Sequence, residues 1–184
     1  MDIVYFQPLK ELLQVGAYFK EELVVLVENE AQELKVKKAE MIPCYLVSEN
    51  TQNIQKLVSK KKAVLGGSVK ANEFAVKAKV DFLLQPSGTK QFFDLGLAKK
   101  LAEENITTVF LFSELLDKNS FERFQMWKNY SELAAYCKKK KARFFVASGA
   151  KEPLYLRPQK MREAIGIILG ANVKSGKEVF EGMK

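Results

Sequence analysis

Residues 64–88 read VLGGSVKANEFAVKAKVDFLLQPSG: Gly66-Gly67 end an apolar run, Ser68 stands where a helix cap belongs, and Lys70 falls in that helix's first turn. A helix N-terminus is already electropositive, so a cation there opposes the backbone dipole. The same conflict recurs along the chain. Lys90 precedes the helix carrying LAKKLAEEN, and Arg123 lies in the first turn after Ser120. Lys151, Arg157 and Lys160 surround the turn into a helix that opens at Pro158. Free N–H groups at helix starts dock phosphate readily, so the chemistry this pattern fits is a grip on phosphate along one rim. Gly66-Gly67 alone reads as a tight turn needing positive φ, and it matches neither GxGxxG nor a P-loop.

Other chemistries are excluded or weakly supported. The chain contains no histidine, which removes Ser-His-Asp and Cys-His nucleophile systems and HExxH zinc sites together. Without a nearby histidine, Ser148-Gly149-Ala150 reads as a turn after a strand. Glu28, Glu49 and Glu114 fall at or just past predicted strand ends, where barrel enzymes place catalytic groups, and they are the residues that would ligate Mg²⁺ in an enzyme. Solvated loop carboxylates are the commoner case. Cys44 and Cys137 have no metal or redox spacing and read as ordinary thiols in a reducing cytosol.

Parallel strands must position such a rim. Short apolar, often β-branched runs recur: DIVYF from Asp2, LVVLV from Leu23, IPCYLV from Ile42, AVL from Ala63, DFLL from Asp81, TTVFLF from Thr107 and RFFVA from Arg143. Runs apolar on both faces suit a buried parallel sheet with helices between its strands. Early strands start at 2, 23, 42, 62 and 81, spaced 19 to 21 residues, which leaves room for only short helices. Seven such units predict an α/β fold, a compact TIM-barrel-like (β/α) arrangement of about seven parallel strands, with an incomplete barrel as a variant. An open doubly wound sheet has the same spacing and stays open as the alternative.

Asn119 or Ser120 caps a long helix to about Lys140, with Glu122 placed for a capping box. The Pro158 helix ends near Gly170, and 172–184 hold a short final helix. Phe110, Phe112, Phe144 and Phe145 have strand spacing and read as core, while Trp127 and Tyr130 pack inward from the long helix. At 184 residues the chain reads as one domain spanning 1–184. No apolar run is long enough to cross a membrane, and the N-terminus does not read as a signal peptide.

Charge is uneven. Residues 1–60 hold 7 Lys against 9 acidic residues, a net of −2, whereas 61–184 hold 23 Lys plus Arg against 13 acidic residues, a net of +10. The surplus fits a polyanionic partner or plain solubility. Lys138–Lys141, Lys37-Lys38, Lys60–Lys62, Lys77 and Lys79 fall near predicted helix ends, where cations complement the dipole and remain solvated. These runs say least about function. Helix starts and helix ends lie on opposite rims of any parallel α/β fold, so position sorts the cations.

The segments VDFLLQP (80–86), DLGLAKKLAEEN (94–105), FERF (121–124) and ASGAKEPLYLRPQKMREAIGIILG (147–170) agree in order, spacing and residue type with one family. From about Leu65 to Ala171 the chain resembles archaeal ribonuclease P protein component 3, a TIM-barrel-like subunit. The first 60 residues match only in strand-helix rhythm. The resemblance implies a cytoplasmic ribonucleoprotein subunit supporting removal of 5′ leaders from precursor tRNA. It implies that the RNA cleaves with Mg²⁺, that the protein binds no cofactor or metal and has no active site, and that an RRM-like subunit, ribonuclease P protein component 2, is its partner. Lys99 and Arg157 match basic positions of the family, Lys160 replaces a typical arginine, Arg123 keeps a Glu-Arg pair, and Lys70 corresponds to a common arginine. Glu73 and Phe74 stand where a second arginine is expected, Asp94-Leu95 where an Asp-His pair is usual, and Glu114 near a usual arginine.

The expected RNA-binding residues are therefore Lys70, Lys90, Lys99, Arg123, Lys151, Arg157 and Lys160. Two readings compete with it: a small barrel enzyme acting on a phosphorylated metabolite through Glu28, Glu49 or Glu114 with Mg²⁺, and a protein-interaction module whose basic face is incidental.

Overall fold

The computed structural model describes residues 1–6, 10, 14, 22–51 and 54–170; the helix expected over 172–184 lies outside them. Among the described residues there are seven strands: β1 (Asp2–Tyr5), β2 (Leu23–Val27), β3 (Ile42–Val47), β4 (Lys62–Leu65), β5 (Phe82–Leu84), β6 (Thr107–Leu111) and β7 (Phe144–Ala147). Each pairs in parallel with the next in chain order. That order distinguishes a barrel from a doubly wound sheet, whose strand sequence reverses at a switch point.

Alternation along the strands separates two buried clusters. Val24, Leu26, Phe82, Leu84, Phe145 and Ala147 belong to one that contains no residue of a helix, which is the barrel interior. Leu23, Val25, Val27, Leu83, Phe110 and Val146 join helix residues such as Leu101 and Tyr130 in the other. Every residue of β2, β6 and β7 is buried because both faces are covered. Cys44 and Cys137 are free and buried, and burial raises both thiols, Cys137 to about 12.

The barrel closes just past β7. The amide of Tyr5 donates to Ala150 O at 3.0 Å, and that of Gly149 donates to Ile3 O at 3.0 Å. Gly149 has φ +60, and a Cβ there would lie 2.8 Å from Leu111 Cβ, so glycine is required. Buried Asp2 accepts from the Ser148 amide at 2.7 Å and faces Arg162 at 3.5 Å, while the Arg162 guanidinium also donates to Met1 O and Arg157 O. These contacts tie the first strand to the last.

Among the described residues, six complete helices surround the strands: α1 (Glu30–Lys38), α2 (Val69–Lys77), α3 (Leu95–Glu103), α4 (Ser113–Leu116), α5 (Ser120–Lys140) and α6 (Gln159–Ile168). Short polar side chains cap α1, α2, α3 and α5, whereas α4 and α6 begin without a side-chain cap. Ser68 accepts from the Ala71 amide at 3.1 Å, Asp94 from that of Leu97 at 2.7 Å, and Asn119 forms the expected capping box with Glu122. Between β3 and β4 the described chain holds one 3₁₀ turn, Ile54–Leu57. Lys60–Lys62 consequently lead into a strand instead of ending a helix. Phe112 stands at the start of α4, partly buried, and does not extend β6. Tyr130 is fully buried, whereas Trp127 packs only partly inward.

Candidate nucleic-acid interface

Because all strands run one way, every βα turn emerges at their carboxyl ends. Lys70 opens α2, Lys90 lies between β5 and α3, and Arg123 opens α5. Lys151 and Arg157 lie between β7 and α6, which Lys160 opens. Six of the seven expected residues thus share that rim. Lys99 does not; it lies in the middle of α3 and pairs with Glu103 at 3.6 Å. Lys138–Lys140 fill the last turn of α5 at the opposite pole, followed by Lys141 in a left-handed cap with φ 58.

Side-chain partners differ across the rim and revise the reason for some cations. Lys70 sits 2.6 Å from Glu49, which raises its pKa, so the charge answering this helix-start lysine is internal. Lys151 pairs with Glu114 at 3.0 Å and lies 5.6 Å from the Tyr5 ring centre. Burial, together with the Glu114 carboxylate, pushes the Tyr5 phenol up to about 12. Arg123 is an exposed residue, but its head is not left free at the start of α5. Its guanidinium turns back to the carbonyls of Leu115 and Leu116 at 3.0 Å each, at the electronegative end of α4. Arg157 donates to Leu154 O and Leu156 O at 2.8 and 2.9 Å and lies 5.8 Å from the Phe112 ring. Among the described residues, Lys90 and Lys160 have no carboxylate partner.

The three glutamates do not assemble as metal ligands. Glu49 and Glu114 are engaged by lysines, Glu28 is exposed, and no group of three metal-ligating side chains occurs among the described residues.

One feature of the rim went unread in the sequence: the loop between β5 and α3 is pinned by buried amides. Asn72 Nδ2 of α2 donates to Pro86 O and Phe92 O at 2.9 and 3.0 Å. From α5, Asn129 Nδ2 donates to Gly88 O at 2.7 Å and the Tyr130 hydroxyl to Ser87 O at 2.9 Å. Ser87 Oγ accepts from the Phe92 amide and donates to Gln91 Oε1. Gln85 Oε1 accepts from the Leu111 amide at 3.0 Å, extending the β5–β6 pairing beyond the strand. The available clue was Asn129, polar on a stripe with Met126, Tyr130, Leu133 and Cys137 that is otherwise apolar. Together the rim offers fixed loops, helix starts and ammonium groups, an arrangement suited to binding phosphate.

No family model matches the chain. Over 112 residues it is 29% identical to ribonuclease P protein component 3 of Thermococcus gammatolerans, covering 60% of this chain and 52% of that protein. The chain therefore spans about half the length of the curated relative it matches. In structure it is similar to a chain in the cryo-EM structure of archaeal ribonuclease P with mature tRNA, with a TM-score of 0.76 and 18% identity, covering 99% of this chain and 87% of that one. The fold is shared at that distance. The curated relative bears the name of the family that the motifs between 65 and 171 resemble.

Proposed function

We propose that this chain is a protein subunit of ribonuclease P that supports a catalytic RNA in removing 5′ leaders from precursor tRNA. The observation carrying this reading is the coincidence of two similarities on one chain: component 3-like sequence over 112 residues and a shared barrel over 99% of its length. The cationic rim supports it physically. Lys70, Lys90, Arg123, Lys151, Arg157 and Lys160 would screen phosphate repulsion, and Lys99 would contribute from the body of α3. Such contacts read shape and backbone more than sequence. The Mg²⁺ chemistry belongs to the RNA, the isolated chain is non-catalytic, and the assembly works in the cytoplasm. An RRM-like subunit is the protein neighbour.

Reconstitution tests this. Cognate RNA and the RRM-like subunit are combined with and without the chain, and precursor-tRNA cleavage is followed. Faster cleavage with the chain present, and none from the chain alone, is the expected result. Indifference to its omission would sink the reading. Turnover of a small phosphorylated compound by the purified chain would restore the enzyme alternative.

A further inference from the structure

We propose that the aromatic cleft between α4 and α5 stacks one unpaired RNA base, so that the rim holds part of its RNA as a single strand. This deepens the ribonuclease P reading and rests on it for the identity of the polymer. Phe112, Leu115, Leu116, Arg123, Phe124 and Trp127 line the cleft, whose volume of about 440 Å³ lies within the range of small-ligand pockets.

The fold does not use these rings fully. Phe124 is 64% exposed and Phe121, one turn earlier on α5, is 70% exposed, so neither belongs to the core. Residues three apart on a helix are neighbours, which sets Phe124 between Phe121 and Trp127. Trp127 and Phe112 are themselves only partly buried against the core. Exposed apolar side chains gathered in this way mark a binding surface.

Charge identifies the occupant. Arg123 lines the cleft, and the Arg157 guanidinium lies 5.8 Å from the Phe112 ring centre. Main-chain carbonyls fix both heads, those of Leu115 and Leu116 for Arg123 and those of Leu154 and Leu156 for Arg157. A neutral carbonyl orients a guanidinium without cancelling its charge, whereas carboxylates stand beside Lys70 and Lys151. No carboxylate lines the cleft, and neither arginine has an ion-pair partner among the described residues. Two uncompensated cations beside a floor of rings suit a ligand with a negative backbone and a flat face, which describes a nucleotide. An apolar anchor from a protein would fill the cleft and leave both charges unanswered. Both arginines also belong to the cationic rim, so a strand whose phosphates follow that rim passes the rings.

Trp127 is the chain's single tryptophan, so its fluorescence reports on the cleft. The full chain is titrated at constant ionic strength with a uridine pentanucleotide, with the same backbone lacking its bases, and with an RNA duplex. Saturable quenching by the single strand is expected. The abasic strand and the duplex carry phosphates without a free base face and should leave the emission nearly unchanged. Phe124→Leu, which keeps apolar bulk but removes the ring, should weaken single-strand binding roughly tenfold, whereas Phe124→Tyr should retain it. An unchanged urea midpoint checks that these surface variants fold; should Phe124→Leu fail, the abasic comparison decides. Lys138→Ala, at the opposite pole, should leave the quenching intact. Equal quenching by the abasic strand, or full affinity in Phe124→Leu, overturns the base site. So does quenching by the RRM-like subunit with none by RNA, which would give the cleft to a protein. If precursor-tRNA cleavage proves indifferent to this chain, the subunit reading falls and the Trp127 response stands. If cleavage depends on the chain but no base-dependent quenching occurs, the base site alone falls.

Discussion

Glu33 and Glu49 both meet lysine, and their surroundings give the two pairings different work. Glu33, 5% exposed on α1, accepts from the Tyr45 hydroxyl at 2.6 Å, from Lys37 at 2.7 Å and from Lys60 across the sheet surface. The two lysines and the phenol outweigh desolvation and hold its carboxyl near 2, while burial and the Glu33 carboxylate push Tyr45 up to about 12. Glu49 meets Lys70 at the rim, where the side chains are 31% and 84% exposed. A buried carboxylate with three partners cannot exchange them for water without loss, so it belongs to the scaffold. The exposed pair is screened by solvent and can give up its lysine to a competing anion. Pairing alone does not remove a cation from function; the depth of the pair decides.

The largest expected effect follows from the buried member. Glu33→Ala leaves the Tyr45 hydroxyl and the Lys60 ammonium without their acceptor and should lower unfolding free energy by about 2 kcal/mol in urea titration. Glu49→Ala should leave the urea midpoint nearly unchanged. The same contrast appears with pH. Glu33 is depressed from its ordinary 4.5 to about 2, so its contribution is present above the higher value and drains away as pH falls toward the lower one. Stability measured over that window should fall less steeply in Glu33→Gln than in the parent. Parallel slopes would place the linkage elsewhere.

Next in size is the response of RNA binding to the rim. Replacing Lys70, Arg157 and Lys160 together by alanine should weaken RNA binding and reduce the slope of log affinity against log salt by about 2, as three phosphate contacts release their counterions no longer. Replacing Lys138–Lys141 removes more charge from the far pole and should change the slope less. The reverse ranking would mean that overall charge, not rim geometry, governs binding.

The contrast between depths also explains how much was legible in the sequence. Strands that are buried on both faces announce themselves as continuous apolar runs, which is why β2, β6 and β7 could be read from LVVLV, TTVFLF and RFFVA. Caps are local, so Ser68, Asn119 and Pro158 marked their helices correctly. Closure of the barrel by Asp2 and Arg162 depends on residues at the two ends of the described chain, and no local pattern encodes that contact. The same holds for the rim. Which turns carry cations followed from helix positions, but Glu49 reaches Lys70 only because neighbouring βα turns come together in the barrel, and Asn129 reaches Gly88 only because the middle of α5 packs beside the β5–α3 loop. The cations were visible in the sequence; their partners and the loop that Asn72 and Asn129 pin were not.

The smallest prediction sharpens the comparison most. If the Lys70–Glu49 pair is exchangeable, then Glu49→Gln frees an ammonium at the start of α2 without altering the scaffold. RNA affinity should rise by roughly twofold to threefold at low salt, and the gain should fade as added salt screens the liberated charge. Combined with Lys70→Ala the substitution should have no effect, since its action passes through that lysine. An affinity gain that survives Lys70→Ala would show that Glu49 repels RNA by its own charge, and Lys70 would then have no part in the contact.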